Sequence, residues 1–284
     1  MQSKRKNIKY FIEEDLLSKS IEHFPEYPKS PLRFPGGKAR AVKQILSLMP
    51  SEIPRLVTPF FGGGSIEIAA AHFGYPVIGF DNFQPLVDFW QELIENQRSL
   101  VNKVREYFPL DKNKFYELQK THPKNKLFSA AIFYVLNRSS YSGSTLSGGL
   151  SPSHPRFNES SIKYLEDFKC LNLQVHSEDF QTSIDNYPND FLYIDPPYLT
   201  NFALYGKNGD MHKKFNHEIL FEIIRNRERW ILSYNNCEQI RCLYKDFRII
   251  FPEWKYGISN NKNSRELLIL SSDIRTVKEV VNSK

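Results

Sequence analysis

Apolar positions recur along this chain in two rhythms, and the change of rhythm divides it. In ARAVKQILSLMP, Val42, Ile45, Leu46 and Met49 fall at helical spacing and Pro50 ends the run, which predicts a short amphipathic helix. RLVTPF at 55–60 reads as a strand, FGGGS as a turn, and IEIAAAHFG as a helix closing at Gly74. YPVIGF is the next strand, with Asp81 at its carboxyl end. The four pieces predict parallel strands joined by a right-handed crossover. From about 85 to 170 helical periodicity takes over, in PLVDFWQELIENQRSLVNKVREYF and NKLFSAAIFYVLNR. SSYSGSTLSGGLSPSHPRFN, rich in Ser, Gly and Pro, follows as a loop or a hairpin. Strand-like runs return in LNLQVHSEDF, FLYIDPPY and RWILSYNN. In WKYGISNNKNSRELLILSS two apolar runs flank a polar NNKNS and should pair antiparallel. The expected fold is α/β, with a mostly parallel sheet and an antiparallel carboxyl-terminal hairpin. Residues 32–84 and 171–284 would build it, with a mainly helical lobe inserted at 85–170 and a proline-rich arm at 1–31.

Composition narrows the class of protein. Of 284 residues, 40% are hydrophobic and 25% charged, the balance of an ordinary folded soluble chain. Lys and Arg exceed Asp and Glu by 38 to 32, and the net charge of +6 suits a polyanionic partner. No apolar run approaches the roughly 20 residues that span a bilayer, and the basic amino terminus has no signal-length apolar core. A cytoplasmic protein with no membrane partner is therefore expected. Cys170, Cys237 and Cys242 lack metal-ligand spacing and are odd in number, which predicts buried thiols, no disulfide framework and no metal site.

Ligands of open α/β sheets bind beyond the carboxyl ends of the strands, where TPFFGGGS, Asp81, Asp179 and DPPY all fall by this reading. Glycines let a backbone approach a ligand closely. Asp81 follows Gly62 by 19 residues, the distance at which a second-strand carboxylate accepts hydrogen bonds from ribose hydroxyls. The alternative is a tight turn and a surface aspartate. A dinucleotide fingerprint is incomplete here, because the sixth residue is Glu67 counted from Gly62 and Ala69 counted from Gly64. The phosphate-cradling loop is missing too, so an adenosine without phosphates fits better, and S-adenosylmethionine is such a ligand. RFPGGKAR adds an aromatic ring (Phe34), a glycine pair (Gly36, Gly37) and Lys38 before a helix, either as a capped helix start or as a contact for the donor's carboxylate.

FLYIDPPY combines a buried strand with an abrupt stop. Pro196 and Pro197 cannot continue the strand and fix the local backbone, presenting Asp195 and Tyr198 in rigid relation. An exocyclic amine on a nucleobase is a poor nucleophile, since its lone pair is delocalised into the ring. The Asp195 carboxylate and the Pro196 carbonyl can accept its two hydrogens and favour a pyramidal nitrogen. Tyr198 would stack on the base, worth about 1–3 kcal/mol. Such a base must first leave the duplex, at a cost of about a few kcal/mol. Alignment of amine and methyl can supply about 7–11 kcal/mol of the barrier. A strand-ending turn with a capped carboxylate is the plainer alternative.

The order FPGGK, PFFGGGS, FDN, EDF, IDPPY, LSYNN and RELLIL, over about residues 32 to 272, resembles the Dam-like (D12 class, alpha group) DNA adenine-N6 methyltransferases. That resemblance implies an S-adenosylmethionine-dependent enzyme on a Rossmann-like sheet, acting on double-stranded DNA and sometimes paired with a restriction endonuclease. It implies a donor pocket formed by Phe34 and Lys38, by Pro59, Phe60, Gly62, Gly63, Gly64 and Ser65, by Asp81 with Asn82, and by Asp179 with Phe180. Asp195, Pro196, Pro197 and Tyr198 would hold the adenine, with Asp195 also bordering the donor. The family often has tryptophan where Phe34 stands. LNRSSYSGSTL is similar to the family's N-R-x-x-F-N-G recognition element, with Tyr141 for phenylalanine and Ser142 for asparagine. Asn137, Arg138 and Tyr141 would then be DNA contacts, the arginine reading guanine or gripping phosphate.

Between Val101 and Lys126 seven basic residues face three acidic ones, a candidate phosphate-binding face or a solvated helical surface. His154 reads as a loop histidine. Competing readings are an RNA methyltransferase acting on an exocyclic amine, a nucleotide-binding oxidoreductase and an inactive DNA-binding module. The oxidoreductase leaves Asp195 to Tyr198 unexplained, and an intact DPPY argues against inactivity.

Overall fold

Side-chain alternation along the central strands assigns two faces to one sheet. Leu56, Val77, Phe191 and Tyr193 join one apolar cluster, while Val57, Ile78, Leu192 and Ile194 join the other. A strand buried on both faces needs an unbroken apolar run, which is what FLYI supplies. The computed structural model describes residues 11–12, 26–34, 36–50, 52–143, 145, 148–151, 156–199, 215–252 and 266–276.

Seven strands form the main sheet: β1 (Leu56–Thr58), β2 (Val77–Asp81), β3 (Leu173–Ser177), β4 (Phe191–Ile194), β5 (Trp230–Asn235), β6 (Arg248–Ile250) and β7 (Glu266–Leu270). Their order across the sheet is β3, β2, β1, β4, β5, β7, β6. The first five are mutually parallel, and β7 runs antiparallel to both neighbours, with Ser233 opposite Leu268 and Ile249 opposite Ile269. This is the mixed α/β architecture expected from the strand pattern, a mostly parallel sheet with an antiparallel pair at its end. The apolar run at 254–259, expected as β7's partner, lies outside the described residues, and Arg248–Ile250 fills that place. A two-residue parallel pair also joins Phe11–Ile12 to Arg275–Thr276.

One face of the sheet carries α1 (Val42–Ser47), α2 (Ser65–His72) and the helices of the long central segment. These are α3 (Gln84–Glu95), α4 (Gln97–Arg105), α5 (Lys112–Lys120), α6 (Lys126–Ser139) and α7 (Glu159–Asp167). The other face carries α8 (Phe180–Asn186), α9 (His217–Ile224) and α10 (Glu238–Leu243). The central helices share one apolar core with the sheet. Phe89 of α3 stacks on Tyr134 of α6 at 5.4 Å, and Gln91 donates to the Val175 carbonyl of β3. Between α6 and α7 the chain folds back, with Ser140 bridged antiparallel to Leu150. His154 lies outside the described residues. Among the described residues no helix is long and apolar enough to cross a membrane, no group of His, Cys, Asp or Glu is arranged to hold a metal ion, and the three cysteines are free thiols.

Candidate active site

Because β2, β1 and β4 are adjacent and parallel, their carboxyl ends open on the same side of the sheet. The chain leaves β1 into Pro59–Ser65, β2 into Asp81–Phe83 and β4 into Asp195–Tyr198. These segments, with Phe34, Gly36, Gly37 and Lys38, enclose a cavity of about 200 Å³. Its walls include Phe34, Gly36, Gly37, Lys38, Phe60, Gly62, Gly63, Gly64, Ser65, Asp81, Asn82, Asp195, Pro196, Pro197 and Tyr198. Phe61, within the loop 59–65 expected to line the pocket, lines it, as do Ile66, Glu67, Phe83 and Tyr193, which no motif had assigned to it.

The glycine loop is shaped by close approach. A β-carbon on Gly63 would meet the Phe34 Cβ at 2.7 Å, and one on Gly62 (φ +50°) would meet that ring at 3.0 Å. Asp81 holds the loop from the next strand, accepting the Gly62 N–H at 3.0 Å and the Phe83 N–H at 3.0 Å. Burial raises its pKa, while those N–H groups act to lower it. The Gly62 carbonyl accepts the indole N–H of Trp90 at 3.1 Å, tying the loop to α3.

Lys38 links the amino-terminal motif to the strand end of β4. Its ammonium is buried, donates to Asp195 Oδ2 at 2.8 Å and to the Gly36 carbonyl at 2.9 Å, and lies 3.7 Å from Glu266 Oε1. It also lies 4.8 Å from the centre of the Tyr198 ring. Burial raises the Asp195 pKa, and Lys38 opposes the rise. A lone buried carboxylate would be costly, so the lysine is what makes an ionised Asp195 tenable here. Tyr198 is half-buried and stacks on Tyr234 of β5 at 5.9 Å, whose hydroxyl bonds to His217 Nδ1. In β4 the Tyr193 hydroxyl pairs with Ser233 at 2.9 Å.

Three expected site residues lie off the cavity wall. Asp179 is exposed at the amino end of α8, accepting the N–H groups of Gln181 and Thr182 and the Thr182 hydroxyl at 2.6 Å. Those bonds lower its pKa, as a helix cap does. The sequence signal was present, since Thr182 follows three residues after Asp179. Phe180 instead touches the site indirectly, stacking on Phe60 at 5.4 Å. Pro59 is buried behind the wall.

The expected recognition residues separate as well. Asn137 is fully buried, accepting the Arg33 N–H at 2.8 Å and donating to the Arg33 carbonyl at 2.8 Å and the Gly143 carbonyl at 3.4 Å. It latches α6 to the residue before Phe34, with its amide facing the interior. Arg138 donates to the Arg156 and Pro31 carbonyls. Burial, then the nearby Arg156 charge, acts to lower its pKa. Tyr141 stands 69% exposed on a short 3₁₀ turn.

The chain's relatives carry the same kind of chemistry in their names. It is 24% identical over 191 residues to the type II methyltransferase M.CviBI of Paramecium bursaria Chlorella virus NC1A, covering 62% of this chain and 71% of that one. It is 26% identical over 211 residues to the modification methylase StsI of Streptococcus sanguinis, covering 65% of this chain but only 31% of that longer protein. Against the type II methyltransferase M1.LlaDCHI of Lactococcus lactis subsp. cremoris it is 20% identical over 243 residues, covering 76% of this chain and 84% of the other. Residues 34–258 match the family described as D12 class N6 adenine-specific DNA methyltransferase, a span that takes in the cavity, the glycine loop and DPPY. The chain belongs to that family of DNA adenine-N6 methyltransferases.

Proposed function

We propose that the cavity binds S-adenosylmethionine and that the chain methylates the N6 amine of an adenine extruded from duplex DNA. The observation that carries this reading is the Lys38-paired Asp195, held on a Pro196–Pro197 turn across the cavity from a glycine loop tied to Asp81. The lining suits the donor: the glycine loop, with Phe34 packed on it, forms one wall of the cavity, Asp81 lines that wall 19 residues after Gly62, and the phosphate-cradling loop is missing. When bound, S-adenosylmethionine supplies an electrophilic methyl group on a sulfonium.

Asp195 and the Pro196 carbonyl accept the hydrogens of the target amine and turn its lone pair toward the methyl group. Lys38, already on Oδ2, keeps the carboxylate ionised and oriented. Tyr198, backed by Tyr234, forms the plate on which the extruded base stacks. Phe34 packs on the glycine loop and closes that wall against water. The helical segment at 85–170 serves target recognition, with Arg138 and the exposed Tyr141 offered to DNA and Asn137 holding the end of α6 against Arg33. The same reading, through the family resemblance, has the chain work in the cytoplasm, with a restriction endonuclease as a partner it can protect DNA against.

The test is transfer of labelled methyl groups to duplex DNA and to structured RNA, followed by nucleoside analysis. N6-methyladenine in DNA is expected. Label confined to RNA, or found on cytosine, would overturn the reading.

A further inference from the structure

Four carboxyl groups and one lysine line or border the cavity, and they are not equally partnered. Asp195 pairs with Lys38, Glu266 lies 3.7 Å from the same ammonium, and Asp81 holds two backbone N–H groups. Glu67 is the exception. It is 3% exposed, stands on the first turn of α2, and points into the cavity. No basic side chain lies within ion-pair distance of it among the described residues, and only the Ile66 and Glu67 N–H groups meet its carboxyl.

We propose that Glu67 selects the charge of the bound donor: its carboxylate matches a cationic sulfonium nucleoside, so the cavity holds S-adenosylmethionine more tightly than S-adenosylhomocysteine. The proposal rests on the donor assignment above. Transfer of the methyl group removes the positive charge at sulfur, and with it the partner of Glu67, which favours release of the spent product.

Every charged or titratable group facing Glu67 bears on its protonation. Lys38 from the segment before α1 favours the ionised form. Asp195 at the end of β4 disfavours it, and the Tyr193 hydroxyl on β4 is electrostatically coupled to Glu67. Burial dominates and pushes the Glu67 pKa up to about 8, so without a cation nearby the group is mainly protonated at neutral pH. An arriving cation lowers that pKa, and the proton leaves the carboxyl for the buffer.

Calorimetric titration of the full chain with S-adenosylmethionine and, separately, S-adenosylhomocysteine tests this at pH 7 in phosphate and in Tris, whose ionisation heats differ. The wild type should release close to one proton per S-adenosylmethionine, fewer with the product, and prefer the donor. Glu67→Gln should release none and lose about tenfold or more of that preference, the scale of one charge pair at intermediate dielectric. Wild-type binding of both ligands with no proton release overturns the role of Glu67, and this arm needs no variant. Failure of the wild type to bind either ligand overturns the donor assignment instead.

Discussion

Replacing Asn137 with alanine removes both hydrogen bonds to the Arg33 backbone, at 2.8 Å each, and a longer one to Gly143 at 3.4 Å. A neutral bond contributes about 0.5–1.5 kcal/mol, and a part-buried backbone group left unpaired costs about 1–3 kcal/mol. Two such groups on Arg33 lose their partner, so the expected loss is about 2–6 kcal/mol. For a chain of this size that lowers the melting temperature by about 4–24 °C. Phe34 follows directly and packs on Gly62 and Gly63, so donor affinity should fall along with stability. Thermal unfolding with and without S-adenosylmethionine, beside DNA binding by fluorescence anisotropy, reads all three quantities. A melting temperature moved by less than about 1 °C, with DNA affinity collapsed, would refute the latch. Asn137 would then be the DNA contact that the family resemblance implied.

Asp195→Asn should lower turnover by about 10²–10³-fold, the usual effect of removing a group that stabilises the reacting centre. Near-normal turnover in single-turnover kinetics would contradict its role. Tyr198→Ala should weaken DNA binding by about 1–3 kcal/mol while donor binding changes little, and equal losses in both titrations would count against stacking. Glu67 also gives stability a pH dependence whose sign is fixed. Its pKa is about 8 in the fold against 4.5 for the free group, so the folded state binds the extra proton. Stability therefore declines as pH rises between those values, and Glu67→Gln should flatten that part of a melting-temperature profile taken from pH 5 to pH 8. An unchanged slope in the variant would show that the group titrates normally.

The central parallel strands were legible because they carry apolar runs that stop at Asp or Pro, as in VIGFD and FLYIDPP. The helices α8, α9 and α10 were not singled out, because α8 and α10 span only seven and six residues and their apolar positions merge with neighbouring strands. Motif order located most of the cavity wall. Asp179, expected at the pocket, instead caps α8 off the cavity wall, a role its partner Thr182 three residues on encodes locally. Motif order also passed over Glu67, which had been considered only as a missing glycine. The groups that interact with buried Glu67, Lys38, Tyr193 and Asp195, are all distant in sequence, and no local pattern encodes that.

The central claim is that the methyl donor sits between the glycine loop after β1 and the Asp195 turn after β4. A crystal structure of the chain soaked with S-adenosylhomocysteine measures this directly. The account predicts the nucleoside against Gly62–Gly64 and Asp81, with the sulfur facing Asp195. A sulfur placed elsewhere, for instance in the separate groove lined by His217 and Leu243, would contradict it.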